Sequence, residues 1–267
     1  MSARATEGYK MTFLVAILSC VKHALDGSNQ AARDTWLKEL PMDYDYRFII
    51  GDGTPTGDDE TFLNRGWEER IPNFRKCYSD PELNFPTQVD ELVLRIPDTY
   101  RHVSYKVREA CRWGLVNGAQ WIFFCTTDTY VVPYRLAESG FGPYDYVGHA
   151  FALPHPWTFA CLGNGAWLSR RAAQIVADAS VDEWISDSWV GKVLHVAGLK
   201  LQHDPRYTSL GAGQFPPMAD NIVITSHICD SPKVYDSKQM YELHYLRKFS
   251  FPQVLRIINA EDSCTQQ

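Results

Sequence analysis

The sequence lacks the marks of a disulfide scaffold. Its seven cysteines (Cys20, Cys77, Cys111, Cys125, Cys161, Cys229 and Cys264) are odd in number and widely spaced, and no two form a C-x-x-C pair. That pattern argues against a disulfide framework and a zinc knuckle, and it points to a reducing compartment. No apolar run reaches the ~20 residues a membrane helix needs. The stretch from Met11 to Leu18 is too short for one, and no convincing small-residue cleavage site follows it. A soluble, cytoplasmic protein without a membrane span is the expectation. Positive charge is not in excess either. The formal net charge is −6, so broad non-specific binding to nucleic acid or anionic membrane is not indicated. The phosphate-binding pattern G-x-x-x-x-G-K-[ST] is absent, as is G-x-S-x-G, and no G-x-G-x-x-G follows a strand.

What is present is a pattern of alternating elements. With 267 residues, 45% of them hydrophobic and 13% aromatic, the chain can bury a sizeable core. "TFLVAILSC" and "YRFIIGDG" read as buried strands, and "DELVLRIP" as a strand or short edge segment. Between the first two, "SNQAARDTWLKEL" has helical spacing, with Ser28 as its cap and Pro41 as its stop. Thr54 to Pro86 reads as an irregular loop. "TYRHVSYKVREACRWGLVNG" is a helix ending at Gly118, and "WIFFCTTD" a third buried strand. Further on, "YDYVGHAFAL" reads as a strand and "PHPWTFACLGNGAWLS" as an aromatic loop and strand. "RRAAQIVADA" and "DEWISDSWVGKVLHVAG" read as helices, the second ending at Gly198. "NIVITSHI" is a short strand running into His227. The tail from Ser237 to Ile258 is helical in two pieces, broken at Pro252. This order predicts an α/β protein with a mainly parallel central sheet flanked by helices. One domain is expected over 10–260, with halves at about 10–132 and about 133–260.

One residue interrupts the third strand's apolar character. "WIFFCTTDTYVVP" carries the carboxylate Asp128 near the end of a run that is otherwise buried. An unpartnered buried carboxylate is costly. Asp128 is therefore exposed at a strand end, paired with a base, or holding a metal ion. In open α/β sheets ligands bind outside the carboxyl ends of the strands, and Asp128 sits at such an end.

Five short segments in order resemble the Fringe-like β-1,3-glycosyltransferases, which have the GT-A fold. Arg33 to Trp36 ("RDTW") is similar to that family's R-x-T-W. Asp98, Tyr100, Ser104 and Lys106 fall on its D-x-Y-x-N-L-T-x-K. Asp128, Tyr130 and Val131 fall on its aspartate-rich strand end. "FACLGNGAWLSRRAA" is similar to C-x-G-x-G-[YA]-x-L-S, and "SDSWVGKVL" to E-D-V-x-[VI]-G. The segments cover roughly residues 12 to 200. There are departures. The family's three consecutive aspartates are Thr126, Thr127 and Asp128 here, His102 replaces an asparagine, and Ser186 replaces the glutamate before Asp187.

The resemblance implies a metal-dependent inverting transferase. It would move a sugar from a UDP-sugar to a hydroxyl acceptor, with Mn2+ or Mg2+ neutralising the leaving diphosphate. Asp128 would hold that ion with a late histidine, either His227 or His244. His227 is preferred because a strand end faces the crevice. Asp187 would be the general base, or else only a helix cap. Thr126 would meet the ribose. Lys106 and Arg33 are candidates for the diphosphate or nucleotide, against a reading as surface helix charges. Asp52 is a candidate for the nucleoside, against a turn residue. Trp157 and Trp189 are candidates for stacking on sugar or base, against core aromatics. The turn Gly163, Asn164, Gly165 is a weaker nucleotide contact. Acceptors left open are a glycan, a bacterial or viral glycolipid, a protein, and a hydroxymethylated DNA base. The alternative is a degenerate GT-A fold that binds a glycan or a partner without catalysis, which the two threonines keep open. A nucleotidyltransferase on a similar framework fits only loosely.

Overall fold

The structure is a computed structural model that describes residues 12–54, 87–151, 156–209, 223–228 and 237–248. The expected loop lies almost wholly outside the described residues, as does the second piece of the tail helix.

β1 (Phe13–Leu18) leads into α1 (Val21–Leu25) and α2 (Ser28–Asp34). A 3-10 turn at Leu37–Glu39 precedes β2 (Tyr44–Gly51) and β3 (Glu91–Leu94). A second 3-10 turn, Tyr100–His102, opens α3 (Val103–Val116). β4 (Trp121–Thr126) and β5 (Thr129–Val131) then flank Asp128, and α4 (Pro133–Ala137) follows. Next come β6 (Tyr146–Gly148), β7 (Ala150–Phe151), β8 (Phe159–Ala160) and β9 (Ala166–Ser169). α5 (Arg170–Asp178), α6 (Ser186–Val196), β10 (Gln202–His203), β11 (Tyr207–Ser209), β12 (Thr225–His227) and α7 (Ser237–Lys248) complete the described chain.

The main sheet has the order β10-β6-β9-β4-β1-β2-β3. β1 pairs in parallel with β2 and β4, β2 with β3, and β6 with β10. Only β9 runs against its neighbours. The expected α/β class with a mainly parallel sheet is what the chain adopts, and strands from both sides of residue 132 share it. β5, β12 and β11 form a small second sheet, and β7 pairs with β8.

The apolar run of β1 follows from burial on both faces. Leu14, Ala16 and Leu18 pack with Val107, Ala173 and Trp189 on one side. Val15 and Ile17 pack with Trp36, Trp167 and Leu243 on the other. The period-two alternation of a strand thus feeds two cores at once.

Some local expectations are corrected. Gly27, at φ +89°, stands at the N-cap of α2, and Ser28 is already helical. The Ser28 hydroxyl donates to Asp26 (2.5 Å) instead of capping. The helix stops at Asp34, well short of Pro41, where the Thr35 hydroxyl donates back to the Ala31 carbonyl (2.6 Å). "YDYVGHAFAL" divides at His149 between two sheets. The helix expected from Asp182 begins only at Ser186. Gly118 and Gly198 follow their helices with positive φ, as expected.

Candidate active site

The carboxyl ends of β1, β2 and β4 lie side by side, because these strands are parallel neighbours. Asp128 leaves β4 on this edge. Its backbone carbonyl accepts from the Ile228 N–H (2.9 Å), which ties it to the end of β12. That tie brings His227 beside it. His227 Nε2 lies 3.3 Å from Asp128 Oδ1. Burial pushes the Asp128 carboxyl up. The hydrogen bond and charge of His227 outweigh it, helped by the Thr126 hydroxyl and by His23, and hold it well below the usual carboxylate range. Of the three readings of Asp128, pairing with a base is the one the geometry displays.

The glycine turn supports this pair. A Cβ on Gly163 would come within 3.0 Å of the His227 ring. The Gly163 carbonyl accepts from Thr129 Oγ1 (2.6 Å), and Thr129 is the register partner of His227. The Asn164 carbonyl accepts from Thr225 in the same strand as His227. Gly165 has φ +109°, and Phe123 fills the space its side chain would need. The turn therefore positions the histidine strand, whatever else it contacts.

Asp187 approaches from α6. Ile185 holds the N-cap position and no side chain caps the helix, so Asp187 is not a cap. Its Oδ1 accepts instead from the Leu162 N–H (3.2 Å) and the Ser186 hydroxyl (3.4 Å). Burial pushes its carboxyl up to about 6. The Leu162 N–H, the Ser186 hydroxyl, the charge of His227 and the Cys161 thiol pull the other way without reversing it. Asp187 and Asp128 thus share one edge and one histidine's field, yet are shifted in opposite directions.

The other expected residues divide. Thr126 is at the site, its hydroxyl 3.0 Å from Thr129 Oγ1. Thr127 turns inward to the Leu18 carbonyl and Asn29. Trp157 is half-buried and donates from Nε1 to Ser188 (3.3 Å), one residue from Asp187. Trp189 is fully buried and donates to the Ser180 carbonyl (3.1 Å), so it is a core aromatic and not a stacking surface. Asp52 is exposed at the end of β2, where its Oδ1 accepts from Thr54 N–H (2.8 Å) in a turn.

His244 is held elsewhere. Its Nδ1 is 3.1 Å from the Tyr130 hydroxyl, and its Nε2 is 3.6 Å from Glu39. Arg33 and Lys106 are not surface helix charges. Arg33 grips Asp90 with two nitrogens (both 2.8 Å), reaches Glu91 (2.9 Å), and lies over the Phe48 ring. Lys106 is buried and donates to Asp98 (2.5 Å) and the Ser19 carbonyl (2.7 Å).

Two residues of the site escape sequence reasoning. His23, in α1, lies within electrostatic reach of Asp128. Cys161 is partly exposed beside Asp187, and burial with that charge pushes its thiol up to about 12. His23 stands in no motif. The segment resemblance includes Cys161 but attaches no chemistry to it.

Among the described residues no group of three or more histidine, cysteine or acidic side chains is arranged to hold a metal ion. A two-ligand site is a different case. Ligands about 2.1 Å from a cation and at right angles to one another sit roughly 3 Å apart, close to the 3.3 Å between Asp128 and His227. The carboxylate oxygen suits manganese or magnesium, and the imidazole nitrogen favours manganese over the harder magnesium, with phosphate and water oxygens to complete the shell.

No protein-family model matches the sequence, and no curated protein does. Solved structures overlap it loosely. One is a glycosyltransferase involved in the glycosylation of the major capsid of PBCV-1, at 11% identity and a TM-score of 0.45, covering 87% of this chain and all of that one. Another is the galactosyltransferase LgtC with donor and acceptor sugar analogs, at 9% identity and a TM-score of 0.44, covering 87% and 95%. A third is A197 from STIV, at 10% identity and a TM-score of 0.33, covering 72% and 80%. Overlap of this degree carries no functional argument, so function rests on the site itself.

Proposed function

We propose that the chain is a metal-dependent inverting glycosyltransferase that moves a sugar from a UDP-sugar to a hydroxyl acceptor. The observation that carries this reading is the convergence of Asp128, His227 and Asp187 on the carboxyl edge of the sheet, with the two carboxylates driven apart in basicity. Paired titratable groups with opposed shifts are how a site divides roles at neutral pH. Asp128 and His227 would hold a divalent cation, which supplies positive charge to the leaving diphosphate.

Asp187 is the base. Its Oδ1 accepts from the Leu162 N–H and the Ser186 hydroxyl, and Oδ2 is the oxygen assigned to take the acceptor's proton. A carboxyl poised at about 6 is ionised at neutral pH and still basic enough for that transfer. The acceptor oxygen then forms the new bond to the anomeric carbon as the bond to the diphosphate breaks, and the configuration inverts. Thr126 remains the candidate for the ribose.

Calorimetry with UDP, with and without manganese, tests the reading. Wild type should bind UDP more tightly with manganese, and Asp128→Asn should lose that enhancement while remaining folded. Equal manganese enhancement in the variant would overturn the assignment. A second reading, a binding module without catalysis, is favoured by the inward turn of Thr127 and the absence of a second carboxylate at 126. It predicts no UDP release from any UDP-sugar, with or without acceptor.

A further inference from the structure

The sequence offers Lys106 and Arg33 as the cations that meet a diphosphate. Both are already engaged. Lys106 is sunk against Asp98 and the Ser19 carbonyl, and Arg33 is held by Asp90 and Glu91. A lysine or guanidinium paired in this way has little to offer a phosphate unless its carboxylate is released. The positive charge for a donor must come from elsewhere on the same edge.

α1 supplies a candidate. β1 is flanked by its parallel neighbours β2 and β4, so the chain leaving it enters the carboxyl edge between their ends. The first residue of α1 is fixed there. The Val21 N–H donates to Asp98 Oδ2 (2.7 Å), the carboxylate that also holds Lys106. Lys22 follows directly and is exposed. No carboxylate lies within ion-pair distance of it among the described residues. Asp26, on the same turn, accepts from the Ser28 N–H and hydroxyl.

Next comes His23, within electrostatic reach of both Lys22 and Asp128. Its Nδ1 is buried without a hydrogen-bond partner among the described residues, which leaves Nε2 as the ring atom that a ligand would meet. An exposed ammonium and a half-buried imidazole therefore follow one another on the same edge, the imidazole within electrostatic reach of Asp128.

Resting on the nucleotide-sugar reading above, we propose that Lys22 is the cation that binds the donor's diphosphate, with His23 beside it as a hydrogen-bonding contact. Lysine serves phosphate as a mobile point charge, which suits an exposed residue on the carboxyl edge of the sheet. The site then divides the diphosphate's charge between the Asp128–His227 side and α1.

The test is calorimetry of UDP and of uridine, both with manganese, on wild type, Lys22→Met and His23→Asn. Lys200→Met serves as control, since Lys200 precedes β10 at the opposite, amino edge of the sheet and is also exposed. Lys22→Met should weaken UDP about tenfold or more and leave uridine unchanged, and the deficit should shrink as salt is raised. His23→Asn should weaken UDP less, and Lys200→Met not at all. Wild-type affinity for UDP in Lys22→Met would overturn the proposal while leaving the transferase reading intact. Equal losses for UDP and uridine would overturn it too, by placing Lys22 at the nucleoside. A wild-type protein that binds neither ligand would overturn both.

Discussion

Around Asp98 the polar atoms are matched. Oδ1 accepts from Lys106 and the Gly51 N–H, Oδ2 accepts from the Val21 N–H, and the Lys106 ammonium also donates to the Ser19 carbonyl. The cluster clamps the ends of β1 and β2 to α3. Around Asp128 and Asp187 the matching is partial. Asp128 has a histidine at 3.3 Å, Asp187 has one oxygen engaged, and His23 keeps a buried nitrogen without a partner among the described residues. Both clusters bury charge on one sheet edge. The first uses it to fix strand ends. The second leaves hydrogen-bonding capacity unspent and basicity displaced, as a site needs when a ligand completes it.

The largest test of that contrast removes one half of the matched pair. Asp98→Ala leaves the buried Lys106 ammonium with the Ser19 carbonyl but no counter-charge, and it orphans the Val21 and Gly51 N–H groups. It should cost about 3–5 kcal/mol of stability, read by urea denaturation. Asp128→Asn should cost far less, since its partner is a histidine able to go neutral. If Lys106→Met folds as stably as wild type but no longer binds UDP, the two clusters have been assigned the wrong way round.

The next test uses pH. The Asp187 carboxyl is raised from 3.8 to about 6. The folded state therefore binds its proton more readily than the unfolded chain does. Its contribution to stability is greatest below about pH 4, falls as pH rises through 4 to 6, and levels off above that. A shift of that size corresponds to roughly 2–3 kcal/mol. Asp187→Asn keeps the oxygen that accepts from Leu162 and removes the buried charge. It should be more stable than wild type at pH 7.5, and the difference between the two should vanish near pH 4. Transfer should drop by roughly 10²–10⁴-fold with UDP affinity retained. Unchanged stability at pH 7.5 would show that the carboxylate is better solvated than its surroundings imply, and unchanged turnover would remove it as the base.

What the sequence disclosed follows the same division. The buried strands were legible because apolar runs bounded by turn residues carry their own signal. Asp128 was legible because a lone carboxylate ending such a run is conspicuous. His227 followed because it too ends a strand. The partners of Arg33 and Lys106 were not legible in the same way. Asp90 is 57 residues from Arg33, and a cation's sequence neighbourhood does not reveal which carboxylate neutralises it. Ser28 carried a cap signal that Gly27 displaced, since glycine takes the left-handed backbone that this entry requires. Trp189 and Trp157 are alike on paper, and only the packing of α6 separates the buried one from the half-buried one. His23 was missed because its placement depends on β1 lying beside β4.

The smallest expected effect concerns the two histidines offered as ligands. His244 has a structural setting, with the Tyr130 hydroxyl on one nitrogen and Glu39 near the other. Its ring also packs between α7 and β5, 6.2 Å from the Tyr130 ring. His244→Ala should lose about 1 kcal/mol from that hydrogen bond, with some further loss from packing, and leave the manganese enhancement of UDP binding in place. His227→Ala should act on the cation. It also strips Asp128 of the partner that offsets its burial, so some stability should be lost as well. Asp128 alone should then bind the cation more weakly, with the enhancement reduced. Measured together by denaturation and calorimetry, the two variants place each histidine on one side of the contrast. A His244→Ala protein that folds normally and loses the manganese effect would move the metal to the Tyr130 side of the strand, and with it the boundary between the part of this edge that holds the fold and the part that meets a ligand.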